Sequence, residues 1–313
     1  MRVLVTGAAG FIGSHLCEAL LAQDHDVVGL DCFTDYYDRS LKEANLDAAR
    51  AHDRFELLEL DLRTDDLAPA VDGIDAVVNE AATPGLMLSW DDFERYEGCN
   101  VSAVARLIKA CQQAGVGRFI QASTSSVYGP LATGAEGSAT RPISPYGVTK
   151  LAAEHLLLAH HDMFGFPVVV LRYFSIYGPR QRPDMAYRIF CERLLRGEPI
   201  TVFGDGHQSR GNTYVSDCVA ATCQALHLGG PGQVLNVGGG EEVALIDAIE
   251  MLAEALGTTP QIDFQPPRPG DQRRTIADTT LAREVLQWQP LVDPAEGLRR
   301  EAEWVRGRAG RSS

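Results

Sequence analysis

The segment Thr6-Gly7-Ala8-Ala9-Gly10-Phe11-Ile12-Gly13 lies between the β-rich run Arg2-Val3-Leu4-Val5 and a helical pattern from about Phe11 to Ala22. A glycine-spaced turn at a strand-to-helix junction leaves few folds open. Gly7 permits the tight turn, Gly10 lets the backbone approach a pyrophosphate, and Gly13 lets helix and sheet pack closely, with the helix N-terminus facing the anion. Glycines alone often make only turns, but here Asp31 ends the next strand, Asp26-Val27-Val28-Gly29-Leu30. It stands about 20 residues on, where a carboxylate accepts from the adenosine ribose hydroxyls. An acidic residue there opposes a 2′-phosphate, so NAD is expected rather than NADP; Arg39, the nearest arginine, lies well down the following loop. Asp61-Leu62, at the end of the third strand, could bracket the adenine, although a strand-ending Asp is as often a turn residue.

The alternation continues through Phe55-Glu56-Leu57-Leu58-Glu59-Leu60, Ala76-Val77-Val78, Arg118-Phe119-Ile120-Gln121 and Pro167-Val168-Val169-Val170-Leu171, with helical stretches between most of them. Short β-branched runs separated by helices predict an α/β fold, a Rossmann-type doubly wound parallel sheet. The two longest helical candidates, about Asp91 to Ala114 and about Ser144 to Phe164, carry Leu, Val and Ala on one face and suit sheet packing or a dimer bundle. After about Gly178 the texture turns to loops rich in Gly, Pro and Arg, with short strands at Ile200-Thr201-Val202-Phe203 and Val234-Leu235-Asn236-Val237. Residues 1–178 are therefore expected to form the dinucleotide-binding domain, with later segments interleaved. Residues 179–313 are expected to form mainly a smaller C-terminal substrate-binding lobe. It closes with a helix at about Leu245 to Leu256 and an amphipathic stretch near Trp288 to Trp304, with Gly307 to Ser313 as a frayed end.

Composition narrows the partners. The 28 basic and 42 acidic side chains give 28 − 42 = −14, which disfavours a nucleic-acid or anionic-membrane surface, so an anionic ligand must find a local basic pocket. The seven cysteines are scattered and never spaced as CxxC, as expected of reduced thiols in a cytosolic, cytoplasmic protein. No HExxH or Cys/His cluster accompanies the pair His160-His161, so no metal is expected. No apolar run approaches the roughly 18 residues a membrane helix needs.

Tyr146-Gly147-Val148-Thr149-Lys150 puts a phenol and an ammonium at i and i+4, on one helix face. A free tyrosine has a pKa of about 10, too high for a base at neutral pH, and a fixed cation such as Lys150 or a nicotinamide lowers it. In isolation this is a solvated helical pair; downstream of a dinucleotide turn, and after Gln121-Ala122-Ser123-Thr124-Ser125-Ser126-Val127-Tyr128-Gly129 at a strand end, it reads as chemistry.

At these residues the chain resembles the extended short-chain dehydrogenase/reductase family and, within it, the nucleotide-sugar 4-epimerases and dehydratases. The likeness runs along Gly7–Gly13, Ala122–Gly129, Ser144–Lys150, Leu171–Ala186 and Ile200–Gly206, with Arg210–Val215 and Arg268–Asp271 similar to the family's nucleotide-binding lobe. It implies that Tyr146 is the base on the sugar 4-hydroxyl, that Lys150 holds the nicotinamide ribose and tunes the tyrosine, and that Thr124 hydrogen-bonds the same oxygen. Hydride would leave C4 for NAD and return to the other face of a 4-ketosugar, leaving NAD a bound catalyst.

Dehydratases of the family carry Asp-Glu after the threonine, because eliminating water needs an extra acid and base; the UDP-glucuronate decarboxylases carry Glu at the second position. Ser125-Ser126 stand here, which favours epimerisation. The segment Ser175–Ala186 looks most like the UDP-glucuronate 4-epimerases, which makes Arg182, assisted by Ser175, the candidate partner of a C5 carboxylate, against its reading as a solvated or diphosphate-binding arginine. The resemblance further implies Arg210 and Arg268 at the diphosphate, Asp271 at the uridine ribose, Thr201 and Phe203 beside uracil, and a homodimer. Two departures stand out: Asn79-Glu80-Ala81-Ala82 where His-Leu-Ala-Ala is common, and Gly211-Asn212 where Asp and an aromatic are common. The alternatives are a UDP-glucose/UDP-galactose 4-epimerase, a dehydratase or decarboxylase, and, in another class, a non-catalytic dinucleotide-sensing protein.

Overall fold

A computed structural model describes residues 1–130, 132–267 and 273–310 of the 313. Six strands, β1 (Arg2–Thr6), β2 (Asp26–Leu30), β3 (Phe55–Leu58), β4 (Ala76–Asn79), β5 (Arg118–Thr124) and β6 (Val168–Tyr173), join the strand Val234–Val237 in one seven-stranded sheet. The order is Val234–Val237, β6, β5, β4, β1, β2, β3, and every pairing is parallel. A parallel sheet must be covered on both faces, and β1 shows how the residues divide. Val3 and Val5 belong to one core cluster and Leu4 to the other, each fully buried, and side chains of that size each contribute roughly 1.5–3 kcal/mol on burial. The strand order reverses between β1 and β4, which opens a crevice at their carboxyl ends.

The Rossmann-type expectation holds, and α1 (Phe11–Ala22) and the helix Leu245–Leu256 have the expected bounds. Val234–Val237, assigned from sequence to the smaller lobe, instead extends the main sheet beside β6, because its Leu235 and Val237 complete the first core cluster. The expected helix from Asp91 to Ala114 is three pieces, Phe93–Glu97, a π-helical turn Gly98–Ser102, and Ala103–Ala114. The closing amphipathic stretch, expected from about Trp288 to Trp304, is helical only from Pro294, in Pro294–Ala309, and a separate short helix, Thr280–Leu286, precedes it. Trp288 lies between them, its indole donating to the Asp217 carbonyl at 2.9 Å. The last helix runs through Gly307 to Ala309, so the chain is regular further toward its end than expected. The later segments build a lobe from the parallel pair Ile200–Phe203 and Ile262–Gln265 and from packed helices Ala186–Arg196, Leu245–Leu256 and Pro294–Ala309.

Candidate active site

At the crevice, Gly7 has φ +66°, and a Cβ on Gly13 would come within 2.2 Å of the Gly7 carbonyl oxygen. Only glycines allow α1 to start this close to the turn, which leaves its first N–H groups facing a cavity of about 470 Å³. Gly7, Gly10, Phe11, Ile12, Gly13, Asp31, Asp61 and Leu62 all line that cavity. Asp31 is fixed by N–H groups of Phe33 (2.8 Å) and Ala9 (3.1 Å), and burial pushes its carboxyl up against the pull of Lys42. Asp61 has the turn role that a strand-ending Asp often takes, accepting from the Arg63 N–H (2.9 Å) and guanidinium (2.7 Å), and it also faces the cavity. Arg39 is engaged elsewhere, with Glu43 and Glu59. The glycine turn, Asp31 and Asp61-Leu62, expected from sequence to meet a dinucleotide, thus line one cavity.

The same cavity is lined by Thr124, Ser125, Ser126, Tyr146, Lys150, Ser175 and Arg182. Tyr146 and Lys150 sit in the first turns of the helix Pro145–Phe164, which begins sharply because Ser144 accepts from the Gly147 N–H (3.1 Å) and Pro145 takes the position that needs no donor. A Cβ on Gly147 would stand 2.9 Å from the Ser126 carbonyl oxygen, so glycine lets this helix press against the end of β5. Thr124 hydrogen-bonds the Tyr146 phenol, which burial pushes above its ordinary range while Thr124 and then Arg182 pull it down and Glu80 adds to the rise. Lys150 is not among these influences. Its ammonium donates to the Ala122 carbonyl (2.6 Å), burial lowers it, and Glu80 and Glu154 oppose that fall. Asn100, in the π-helical turn, brackets Thr83 through both backbone groups and reaches the Thr149 hydroxyl at 3.1 Å. That turn thereby fixes the Tyr146 helix to the wall after β4, a recurrent use of π-bulges.

Arg182 is already engaged. Its Nε and Nη2 donate to the two oxygens of Asp184 at 3.0 and 3.1 Å, and the Tyr36 hydroxyl donates to the same carboxylate at 3.2 Å. Ser175 has φ +46°, a left-handed conformation uncommon for a serine.

A second cavity of about 410 Å³ shares Ser175, Ile176 and Met185 with the first and takes in Phe203 and Arg210. Thr201 lines neither, and Arg268 and Asp271 lie outside the described residues. Several groups escaped the sequence reading: Glu80 and Tyr36 in the first cavity, Asn212, Tyr187 and Arg273 in the second, and Asp184 beside Arg182. Asn212, one of the departures, donates to the Tyr187 hydroxyl. Glu80, the other, had a visible signal in the sequence but no assigned direction.

Residues 3–238 match the family model described as the NAD dependent epimerase/dehydratase family. The chain belongs to that family and is an NAD-dependent enzyme of it, as the extended short-chain dehydrogenase/reductase resemblance implied. It is 40% identical over 311 residues, 97% of this chain and 98% of the other, to an uncharacterised UDP-glucose epimerase, YtcB, of Bacillus subtilis. A UDP-glucose 4-epimerase of Mycolicibacterium smegmatis is 37% identical over 99% of this chain and 100% of its own. Among solved structures, the UDP-glucuronic acid 4-epimerase of Bacillus cereus, in complex with UDP-glucuronic acid and NAD, superposes with a TM-score of 0.95 at 41% identity. The match covers 98% of this chain and 100% of that one.

Proposed function

We propose that this protein is a UDP-sugar 4-epimerase that interconverts UDP-glucuronate and UDP-galacturonate. One observation carries the reading: Thr124, Tyr146, Lys150 and Arg182 line a single cavity, where the Thr124 hydroxyl and the Arg182 charge both act on the Tyr146 phenol. A sugar whose 4-hydroxyl meets Tyr146 would present its C5 substituent near Arg182. Tyr146 takes the O4 proton as C4 is oxidised and returns it on re-reduction, while Thr124 holds that oxygen in line. Bound NAD supplies the acceptance and return of hydride at C4. Lys150, anchored on Ala122, is placed for the nicotinamide ribose. Ser125 and Ser126 have no pKa useful for removing a C5 proton, which supports epimerisation over elimination. Such an enzyme holds a β-keto acid, and a carboxylate clamped by Arg182 and Ser175 away from the ketone π system is protected from losing CO2.

Arg210 in the second cavity suits the diphosphate, Phe203 the uracil. By resemblance Arg268 and Asp271 complete that end, and Thr201 flanks it. The neutral sugar is the second reading, because Asp184 already occupies one edge of Arg182. NMR of the products from a panel of UDP-sugars separates them. Arg182→Ala is expected to reduce kcat/KM on UDP-glucuronate at least tenfold more than on UDP-glucose and to release a UDP-pentose. Equal losses would assign Arg182 to the diphosphate, and wild-type preference for UDP-glucose would overturn the acid reading. A cytoplasmic homodimer through the helices Ala103–Ala114 and Pro145–Phe164 is part of the proposal. Trp90, Phe93 and Val148 are exposed near those helices. Among the described residues no helix is long and apolar enough to cross a membrane.

A further inference from the structure

Glu80 is the first residue after β4, where the family commonly carries leucine. Its side chain joins the wall of the first cavity together with Lys150, Tyr146 and Thr124. The Tyr173 hydroxyl donates to Oε1 at 2.8 Å, and the Thr222 hydroxyl lies 2.8 Å behind it, where its single proton serves either Tyr173 or the Cys218 carbonyl. The carboxyl is therefore held from behind by the Tyr173 hydroxyl of β6, with the helix Val215–Leu228 packed behind that hydroxyl. The ionisable groups around it are Lys150 and Tyr146 from the helix Pro145–Phe164, Tyr173 from β6 and Cys218 from the helix Val215–Leu228. Of these only Lys150 is a cation. Glu154 also faces Lys150, but it is committed to Arg172 at 2.7 Å.

Beside Lys150, Glu80 is the carboxylate that faces the catalytic end of this cavity, since Asp31 and Asp61 stand at the turn and third-strand end and Asp184 is paired with Arg182. An oxidised nicotinamide ring carries a unit positive charge and its reduced form none, and the Lys150 ammonium opposes a second cation alongside it. A carboxylate in a partly dehydrated wall attracts such a charge far more strongly than one in water. Leucine at this position would leave Lys150 without this carboxylate beside it, while Arg182 keeps its pairing with Asp184. We propose that Glu80 is the counter-charge of the oxidised cofactor, a carboxylate that Tyr173 aims at the cavity beside Lys150 and that makes the site hold NAD+ in preference to NADH.

Burial pushes the Glu80 carboxyl up to about 7, with Tyr173 and Lys150 opposing the rise, so a cation brought alongside has a carboxyl ready to ionise. The consequence is a bias toward handing the hydride back. A cofactor held more tightly when oxidised discourages the state in which ketosugar escapes and a reduced cofactor stays behind. The inference rests on the NAD site alone, not on the choice of sugar.

The test is equilibrium competition without sugar. The full-length enzyme is equilibrated with NAD+/NADH mixtures at about pH 8, above the Glu80 value, and the bound ratio is read after denaturation. Wild type is expected to bind NAD+ preferentially. Glu80→Gln and Glu80→Leu are each expected to shift the bound ratio roughly tenfold toward NADH, through weaker NAD+ binding with NADH affinity retained. The leucine variant keeps a side chain the family accommodates, so the test survives a glutamine variant that folds poorly. An unchanged ratio, or equal weakening of both cofactors in the leucine variant, would overturn the proposal. Neither result would touch the 4-epimerase reading, which is decided by product analysis.

Discussion

Tyr146 holds its proton more tightly here than a free tyrosine does, because burial outweighs Thr124 and Arg182. In the role of base proposed for it, the phenol therefore relies on the positive charge that an oxidised cofactor would add. Tyr146→Phe removes only the hydroxyl; kcat is expected to fall by on the order of 10³-fold or more, with UDP-sugar affinity in binding assays within a few-fold of wild type. Thr124→Ala should cost about 10²-fold in kcat. The i, i+4 spacing of Tyr146 and Lys150 was plain in the sequence, since helix geometry alone places them on one face. What the sequence could not show was how neighbours spend their charges. Asp184 is only two residues from Arg182, yet nothing in that spacing says the two side chains pair. Glu80 meets a tyrosine 93 positions away, a contact that only the register of β4, β5 and β6 creates.

Elements were legible where a local signal fixes a boundary. Ser144, Pro145 and Gly165 delimit the Tyr146 helix from within its own sequence. The π-helical turn was not legible, because Gly98–Ser102 has the same apolar spacing as the helix around it. Its cause is the distant Asn100 contacts to Thr83 and Thr149. The close approach of the Tyr146 helix to β5 depends on Gly147. Gly147→Ala would set a methyl group 2.9 Å from both the Ser126 carbonyl and the Pro142 side chain, forcing the phenol away from Thr124. The expected outcome is a loss of about 1–3 kcal/mol in stability, read by denaturant melts, with kcat reduced on the order of 10²-fold.

Across the whole molecule, the lobes are tied by Glu301 of the last helix, which accepts from the Gly178 N–H at 3.1 Å just ahead of the Arg182 loop. Burial raises its carboxyl to about 8, with Gly178 and Arg188 pulling the other way. The folded protein thus binds a proton that the unfolded chain, with an ordinary value of 4.5, releases. That contribution is complete below about pH 4.5 and is lost as pH rises through about 8, at up to about 1.4 kcal/mol per pH unit. Glu301→Gln is expected to flatten the decline of Tm between about pH 4.5 and 8; an identical decline would remove Glu301 from this role. The fold class and crevice followed from sequence because strand–helix alternation is a local pattern. The return of Val234–Val237 to the first sheet did not, since its partner strand lies more than sixty residues earlier. The lobe boundary at residue 178 is accordingly a division of labour we propose, not a cut between separable parts.

That late return bears on how the chain is made. A ribosome releases β1 to β6 long before it releases Val234–Val237, so during synthesis the sheet waits with the flank of β6 unpaired. Its hydrogen-bonding groups are then open to strands of other nascent chains. The buried contact of Tyr128 with Asn236 at 2.7 Å, which Arg172 backs at 2.8 Å, forms only on the arrival of that last strand. Closing the sheet and completing the polar cluster behind the Lys150 helix are therefore the same late event in the birth of the enzyme.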